Sequence, residues 1–340
     1  MNATIKDVAK LAGVSFKTVS RVINNESSVS EVLQVKVRQA IKELNYKPNL
    51  SARGLRGSTS SIGFLYDNPN SNYVIDMQKG IFKECQASGY ELLIHPCEST
   101  TDTLEDEIME MVTRSRVGGL ILTPPVSDNM TLIKKLAQKQ IKFVRIVSGS
   151  APPDEFGPFV LIDDRQAAYA ITRHFIELGH KELVFLCGDA QHKSNTERLN
   201  GFKKALEDAG IEVKNENILP GSFSFDSGVS RINQLIERGT SLATGIFACN
   251  DEIAAGTLFA ARAAGIEVPR KLSIAGFEDS PYSRQTWPYL TTAKQHNVDI
   301  AKLATKMLIK EIKSTEATPQ ENQVFCPELL VRDSTTSPQL

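Results

Sequence analysis

The stretch Thr4 to Asn25, TIKDVAKLAGVSFKTVSRVINN, constrains this chain more than any other. It predicts two short helices joined by a tight turn. Thr4 and Asp7 stand three apart, the spacing of a capping box in which each side chain satisfies the other's backbone N–H. Val8, Ala9 and Leu11 give the first helix an apolar side, Gly13 allows a sharp turn, and Ser15 caps the second helix. Val14, Val19, Val22 and Ile23 then face inward. Phe16, Lys17, Thr18, Ser20 and Arg21 are left outside, a polar and basic face that packing does not need. That is the layout of a helix-turn-helix whose second helix enters a DNA major groove.

A third helix is expected from about Ser30 to Leu44, where Val37, Ala40, Ile41 and Leu44 form one apolar stripe able to close a small core. Charge supports a nucleic-acid partner. Residues 1 to 60 hold ten Lys or Arg against four acids, while the whole 340-residue chain stands at −1, so the remainder is acidic. A basic module on an acidic body is what phosphate binding requires.

The run from Thr4 to Asn25, above all Val14-Ser-Phe-Lys-Thr-Val-Ser-Arg-Val-Ile-Asn24, resembles the DNA-binding headpiece of the LacI/GalR family of bacterial transcription regulators. The resemblance implies that Phe16, Lys17 and Arg21 point toward base edges, with Ser15, Thr18, Ser20 and Asn24 mainly positioning the phosphate backbone and Thr4 in the same DNA-binding set. Phe16 departs from the tyrosine or small polar residue commoner there, which implies a different operator preference at that contact. Residues 49–60 form a polar linker. Within it Ala52, Arg53, Leu55 and Arg56 match the family's A-R-x-L-[KR] pattern, which implies a hinge helix formed on the operator, with Leu55 as a minor-groove wedge and Ala52 and Arg56 beside it. Gly54 weakens such a helix by up to about 1 kcal/mol relative to alanine.

From Ser61 the texture becomes α/β. Apolar runs at 62–66, 90–94, 119–122 and 143–147 alternate with helical patterns near 75–88, 102–115 and 129–139. A second half repeats this, with strands at 183–187, 245–249 and 272–277 and helices near 165–178, 196–209, 227–238 and 251–264. Leu178-Gly-His180, Arg198-Leu-Asn-Gly-Phe202, Asn250-Asp-Glu-Ile-Ala254, Gly276-Phe-Glu-Asp279 and Leu290-Thr-Thr292 are similar to landmarks of the family's effector domain. The implied fold is an α/β protein: an all-α headpiece (1–48), a hinge (49–60) and a two-lobed, periplasmic-binding-protein-like domain with parallel sheets (61–340). The N-terminal lobe is expected to hold about 61–160 and 293–324, and the C-terminal lobe about 161–292 and 325–340. Lobe crossings are expected near 148–162, 291–294 and 322–328.

Ligands of open α/β sheets sit beyond the carboxyl ends of strands. The loops Asp67 to Tyr73, Gly188 to Arg198, Phe223 to Phe225, Asn250-Asp251 and Glu278 to Trp287 are therefore candidates. Matched to the family's motifs, Tyr73, His192, Ser194, Arg198, Phe223 and Asp251 lie where effector contacts are usual. Their carboxylate, guanidinium and aromatic faces suit a polyhydroxylated ring. Phe223 could equally be core, and Asp251 could cap the helix after it.

Several classes are disfavoured. No G-x-G-x-x-G opens a helix after the first strand, no G-x-x-x-x-G-K-[ST] follows Gly188, and no G-x-S-x-G occurs. The five cysteines are far apart, with no C-x-x-C or H-E-x-x-H spacing, so neither metal nor cofactor is expected. No apolar run is long enough to span a membrane and no secretory signal is visible, which makes a cytoplasmic protein the expectation. The preferred expectation is a homodimeric regulator, a tetramer being possible, most often a repressor in this resembling family. It would bind double-stranded operator DNA under control of a mono- or disaccharide. The alternatives are a corepressor-dependent regulator or activator sensing a nucleobase or nucleoside, and a sugar-processing enzyme with a DNA-binding appendage.

Overall fold

The computed structural model describes residues 3–23, 29–46, 61–67, 71–237, 243–314 and 322–339. The chain divides into two units, Met1–Ser60 and Ser61–Leu340.

In the first unit α1 spans Ile5–Ala12, α2 Phe16–Ile23 and α3 Glu31–Glu43. Thr4 and Asp7 form the reciprocal cap, and Gly13 takes a left-handed φ of 64° to end α1. Ser15 Oγ accepts the Thr18 N–H at 3.1 Å, capping α2. Val8, Ala9, Val19, Val22, Val29, Val37 and Ala40 form the buried core, with Ile5 packed against it. Leu11 is 47% exposed, contrary to the apolar side expected of it: the turn of α1 assigned to Leu11 is filled by Ile5, Val8 and Ala12, at the i, i+3, i+7 positions of the inner stripe.

The second unit holds two parallel sheets. The first contains β1 (Ser61–Tyr66), β2 (Glu91–Pro96), β3 (Gly119–Leu122), β4 (Phe143–Ser148), β5 (Phe159–Ile162) and β11 (Gln323–Phe325), in the order β11-β5-β4-β3-β1-β2. β3, β4 and β5 are buried on both faces, as continuous apolar runs demand. Helices α4 (Asn72–Ser88) and α11 (Asn297–Lys313) cover one face, α5 (Leu104–Ser115) and α6 (Met130–Gln138) the other. The second sheet runs β7 (Ile218–Leu219), β6 (Leu183–Leu186), β8 (Gly245–Ala248), β9 (Ser273–Ala275). It is packed by α7 (Asp164–Glu177), α8 (Lys193–Asp208), α9 (Phe225–Glu237) and α10 (Asp251–Ala263).

The lobes are joined beside β10 (Thr292–Lys294) and β12 (Glu328–Leu330), an antiparallel pair. The first crossing lies later than the expected 148–162. Phe159–Ile162 is a further strand, paired in parallel with both β4 and β11, so the chain leaves the first lobe only after Ile162. Four apolar residues are too short a run to separate from a loop until the sheet is assembled around them.

Candidate functional site

The carboxyl ends of both sheets face one cavity of about 430 Å³ between the lobes. From the first sheet, Asp67 follows β1, Pro124 follows β3, and Ser148 and Ile162 end β4 and β5. From the second, Asp189, Asn250 and Glu278 follow β6, β8 and β9.

Arg198 is the fixed point of the C-terminal wall. It projects from α8, which meets α7 so closely at Gly201 that any Cβ there would collide with the Arg165 carbonyl. This approach brings Arg198 Nε within 2.8 Å of Asp164 Oδ1, while Nη1 donates to the Cys249 carbonyl at 2.7 Å. The guanidinium also lies 3.8 Å from the centroid of the Phe277 ring. Asp164 accepts a further hydrogen bond from Ser148 Oγ across the lobes. Arg198 is thus buried, charged and oriented by groups of its own lobe, and it lines the cavity.

Tyr73, His192, Ser194 and Phe223 also line the cavity. The Phe223 N–H donates to Asp189 at 3.0 Å, and the His192 ring stands edge-on to Phe223 with centroids 5.2 Å apart. Burial lowers the His192 pKa, against the pull of Asp189, leaving a neutral ring able to donate or accept. Tyr73 Oη is buried without a hydrogen-bond partner among the described residues. Burial first, then Asp164 and Glu278, raise its pKa well above the usual value, so it remains a phenol.

Asp251 departs from its expected place. It does not line the cavity. Its carboxylate accepts the Ser280 N–H at 2.7 Å and the Thr292 hydroxyl at 2.6 Å, and Gly276 has no room for a Cβ beside it. The cap of α10 is Asn250, whose Oδ1 accepts from Ile253 N at 2.9 Å. Asp251 therefore buttresses the loop after β9. Burial pushes its pKa up to about 8, opposed by those two hydrogen bonds.

That loop presents Glu278, which belongs to the motif Gly276-Phe-Glu-Asp279 and opens the candidate loop Glu278 to Trp287 but is not among the individual effector contacts the resemblance implies. Glu278 has a left-handed φ of 105°, held by its N–H donating to Ala293 and its carbonyl accepting from Gln295. Its side chain lines the cavity. Burial raises its pKa to about 7, with Arg198 opposing and Asp164 reinforcing. Gln295 Oε1, in the same wall, is buried with no hydrogen-bond partner among the described residues, and Ser280 lies beside it.

On the headpiece Phe16, Lys17 and Arg21 are exposed on α2, Thr4 and Ser15 are exposed beside caps, and Thr18 and Ser20 are half-buried. Asn24, Ala52, Leu55 and Arg56 lie outside the described residues.

Residues 4–49 match the family described as bacterial regulatory proteins, lacI family, and residues 172–335 match a periplasmic binding protein-like domain. The HTH-type transcriptional repressor PurR of Haemophilus influenzae (strain PittEE) is 32% identical over 98% of this chain and 99% of its own. The chain belongs to the LacI family of bacterial regulatory proteins. Its family relatives include the HTH-type transcriptional regulator DegA of Bacillus subtilis (strain 168), 32% identical over 99% of each chain. Among solved structures, the Lac repressor dimer bound to operator and the anti-inducer ONPF is similar with a TM-score of 0.77 and 25% identity over 99% of this chain and 100% of that one. The transcriptional regulator CelR in complex with cellobiose gives 0.74 and 26% over 98% and 99%. As a member of this family the chain is a DNA-binding transcriptional repressor with a small-ligand domain, and the proteins it resembles are regulators rather than enzymes. Among the described residues no helix is long and apolar enough to cross a membrane.

Proposed function

We propose that this chain is a cytoplasmic, homodimeric repressor whose affinity for a pseudo-palindromic operator is set by a mono- or disaccharide held between the lobes. The observation that carries the ligand class is the wall formed by Glu278, Gln295, Ser280 and Tyr73. Tyr73 and Gln295 each offer a buried oxygen with no hydrogen-bond partner among the described residues, and Glu278 and Ser280 line the same cavity, beside a pre-oriented Arg198 and the Phe223 ring. A ligand that meets a carboxylate, an amide oxygen and two hydroxyls must both donate and accept hydrogen bonds, and one that lies against an aromatic face must have an apolar side. A pyranose ring has both. The cellobiose complex of CelR supports the same class by similarity.

On DNA, Lys17 and Arg21 reach guanine acceptors and Phe16 a thymine methyl, while the caps at Thr4 and Ser15 face phosphates. The cleft controls this contact because the ligand favours one lobe arrangement over another. The shift in operator affinity is limited by that difference in ligand affinity.

A thermal-shift screen of sugars, amino sugars and nucleobases on the full chain tests the proposal. Stabilisation by a sugar that also changes operator affinity is the expected result, since ligand binding raises apparent stability with occupancy. Stabilisation by a nucleobase alone would replace the sugar with that ligand, and product formation from a sugar would replace the repressor reading with an enzyme.

A further inference from the structure

Away from the cleft, the edge of the first sheet gathers three donors of different chemical kinds. His95 and Cys97 are two residues apart at the end of edge strand β2, which sends their side chains to one face. Helix α5 carries Glu107 over that face. The ligating atoms of His95, Cys97 and Glu107 all lie within 4.8 Å of one another.

The contact between His95 and Glu107 is informative. His95 Nε2 stands 2.8 Å from Glu107 Oε1, yet this buried nitrogen has no hydrogen-bond partner among the described residues. A hydrogen-bonded acceptor lies close to the N–H axis. Two ligands of one tetrahedral ion, bonded at about 2.0–2.1 Å, stand about 3.3 Å apart and off one another's axis. A small outward movement of the partly exposed Glu107 side chain from its 2.8 Å ion pair with His95 would open that spacing.

We propose that His95, Cys97 and Glu107 form a binding site for a zinc-class divalent cation in the N-terminal lobe. Imidazole, thiolate and carboxylate together suit zinc, whereas magnesium and calcium take oxygen ligands. The fourth position is water's, reached past Glu107, whose side chain is 42% exposed against 20% for His95. On binding, Cys97 gives up the proton it now directs at the His95 carbonyl, 3.6 Å away, and that proton passes to solvent as the sulfur–metal bond forms. The site is joined to the cleft. Ser99, two residues on, donates through N at 3.1 Å and Oγ at 2.5 Å to Asp67 on the cavity wall.

The test uses the full chain, stripped with a chelator and titrated with cobalt(II) as a coloured stand-in, then with zinc in competition. A single ion per chain is expected, with a near-ultraviolet thiolate-to-cobalt band that zinc displaces. Cys97→Ser should abolish the band, and His95→Ala should weaken binding about a hundredfold. Cys326→Ser, at the exposed cysteine, should retain the band. Absence of a thiolate band, or its survival in Cys97→Ser, overturns the proposal. Should Cys97→Ser fail to fold, Glu107→Gln decides, since it alters a partly exposed side chain: about tenfold weaker binding supports the site and unchanged affinity overturns it.

Discussion

The headpiece and the cleft place their working side chains in opposite environments. On α2, Phe16, Lys17 and Arg21 are exposed and the core is completed by Val19 and Val22 without them. At the cleft, Arg198 in its wall and Asp251 behind the loop after β9 are buried, and each holds backbone as well as side chains in place. Function on the headpiece is therefore separable from folding, whereas in the cleft the two share atoms. Substitutions distinguish the regions by which measurement moves.

The largest effect is expected for Arg198→Ala. It strands Asp164 and the Cys249 carbonyl in the interior, so denaturant unfolding should show a loss of about 3–5 kcal/mol together with loss of ligand response. A variant of unchanged stability would make the cleft as separable as the headpiece. Arg21→Ala should cost about 1–3 kcal/mol at the operator and relax one base preference, as read by DNA titration across sequence variants, with a smaller effect on the thermal midpoint. A fall in midpoint as large as the binding loss would erase the contrast from the other side.

Glu278→Gln sharpens the division within the cleft itself. It keeps shape but removes charge, and should weaken the stabilising ligand about tenfold, a loss of ~1.4 kcal/mol, in calorimetric titration. The pH dependence carries the same residue. Burial raises Glu278 to about 7 and Asp251 to about 8, whereas both ionise near 4 in an unfolded chain. A raised acid binds its proton more tightly when folded, so its stabilising contribution is complete below about pH 4 and is lost as pH climbs through the folded values. Unfolding free energy should fall between about pH 4 and 8, and Glu278→Gln should remove the portion of that slope ending near 7. The smallest effect is expected at Thr4→Ala, where loss of the capping box should cost the headpiece about 1 kcal/mol in thermal unfolding.

Local interactions made much of this visible in the chain. The capping box, the glycine turn and the basic face of α2 involve residues a few positions apart, so their chemistry can be read in order. The parallel strands were visible for the same reason, being short apolar runs between helical periods. Leu11 and Phe159–Ile162 differ from expectation because a single turn of helix and a four-residue strand acquire their burial from partners far along the chain.

The sequence alone determined the α/β class, the DNA-reading headpiece and most of the loops that border the cleft, since periodicity, turn chemistry and motif are properties of neighbouring residues. Tertiary structure decided which carboxylate meets a ligand. Asp251, opening α10 after β8, and Glu278, in the loop after β9, are both acids that follow strands, and no local pattern ranks one above the other. Backbone N–H and hydroxyl donors converge on Asp251, whereas the φ of 105° at Glu278 turns its side chain into the cavity. Hydrogen-bond satisfaction in a buried site depends on groups brought from distant segments, and only the folded chain assembles them.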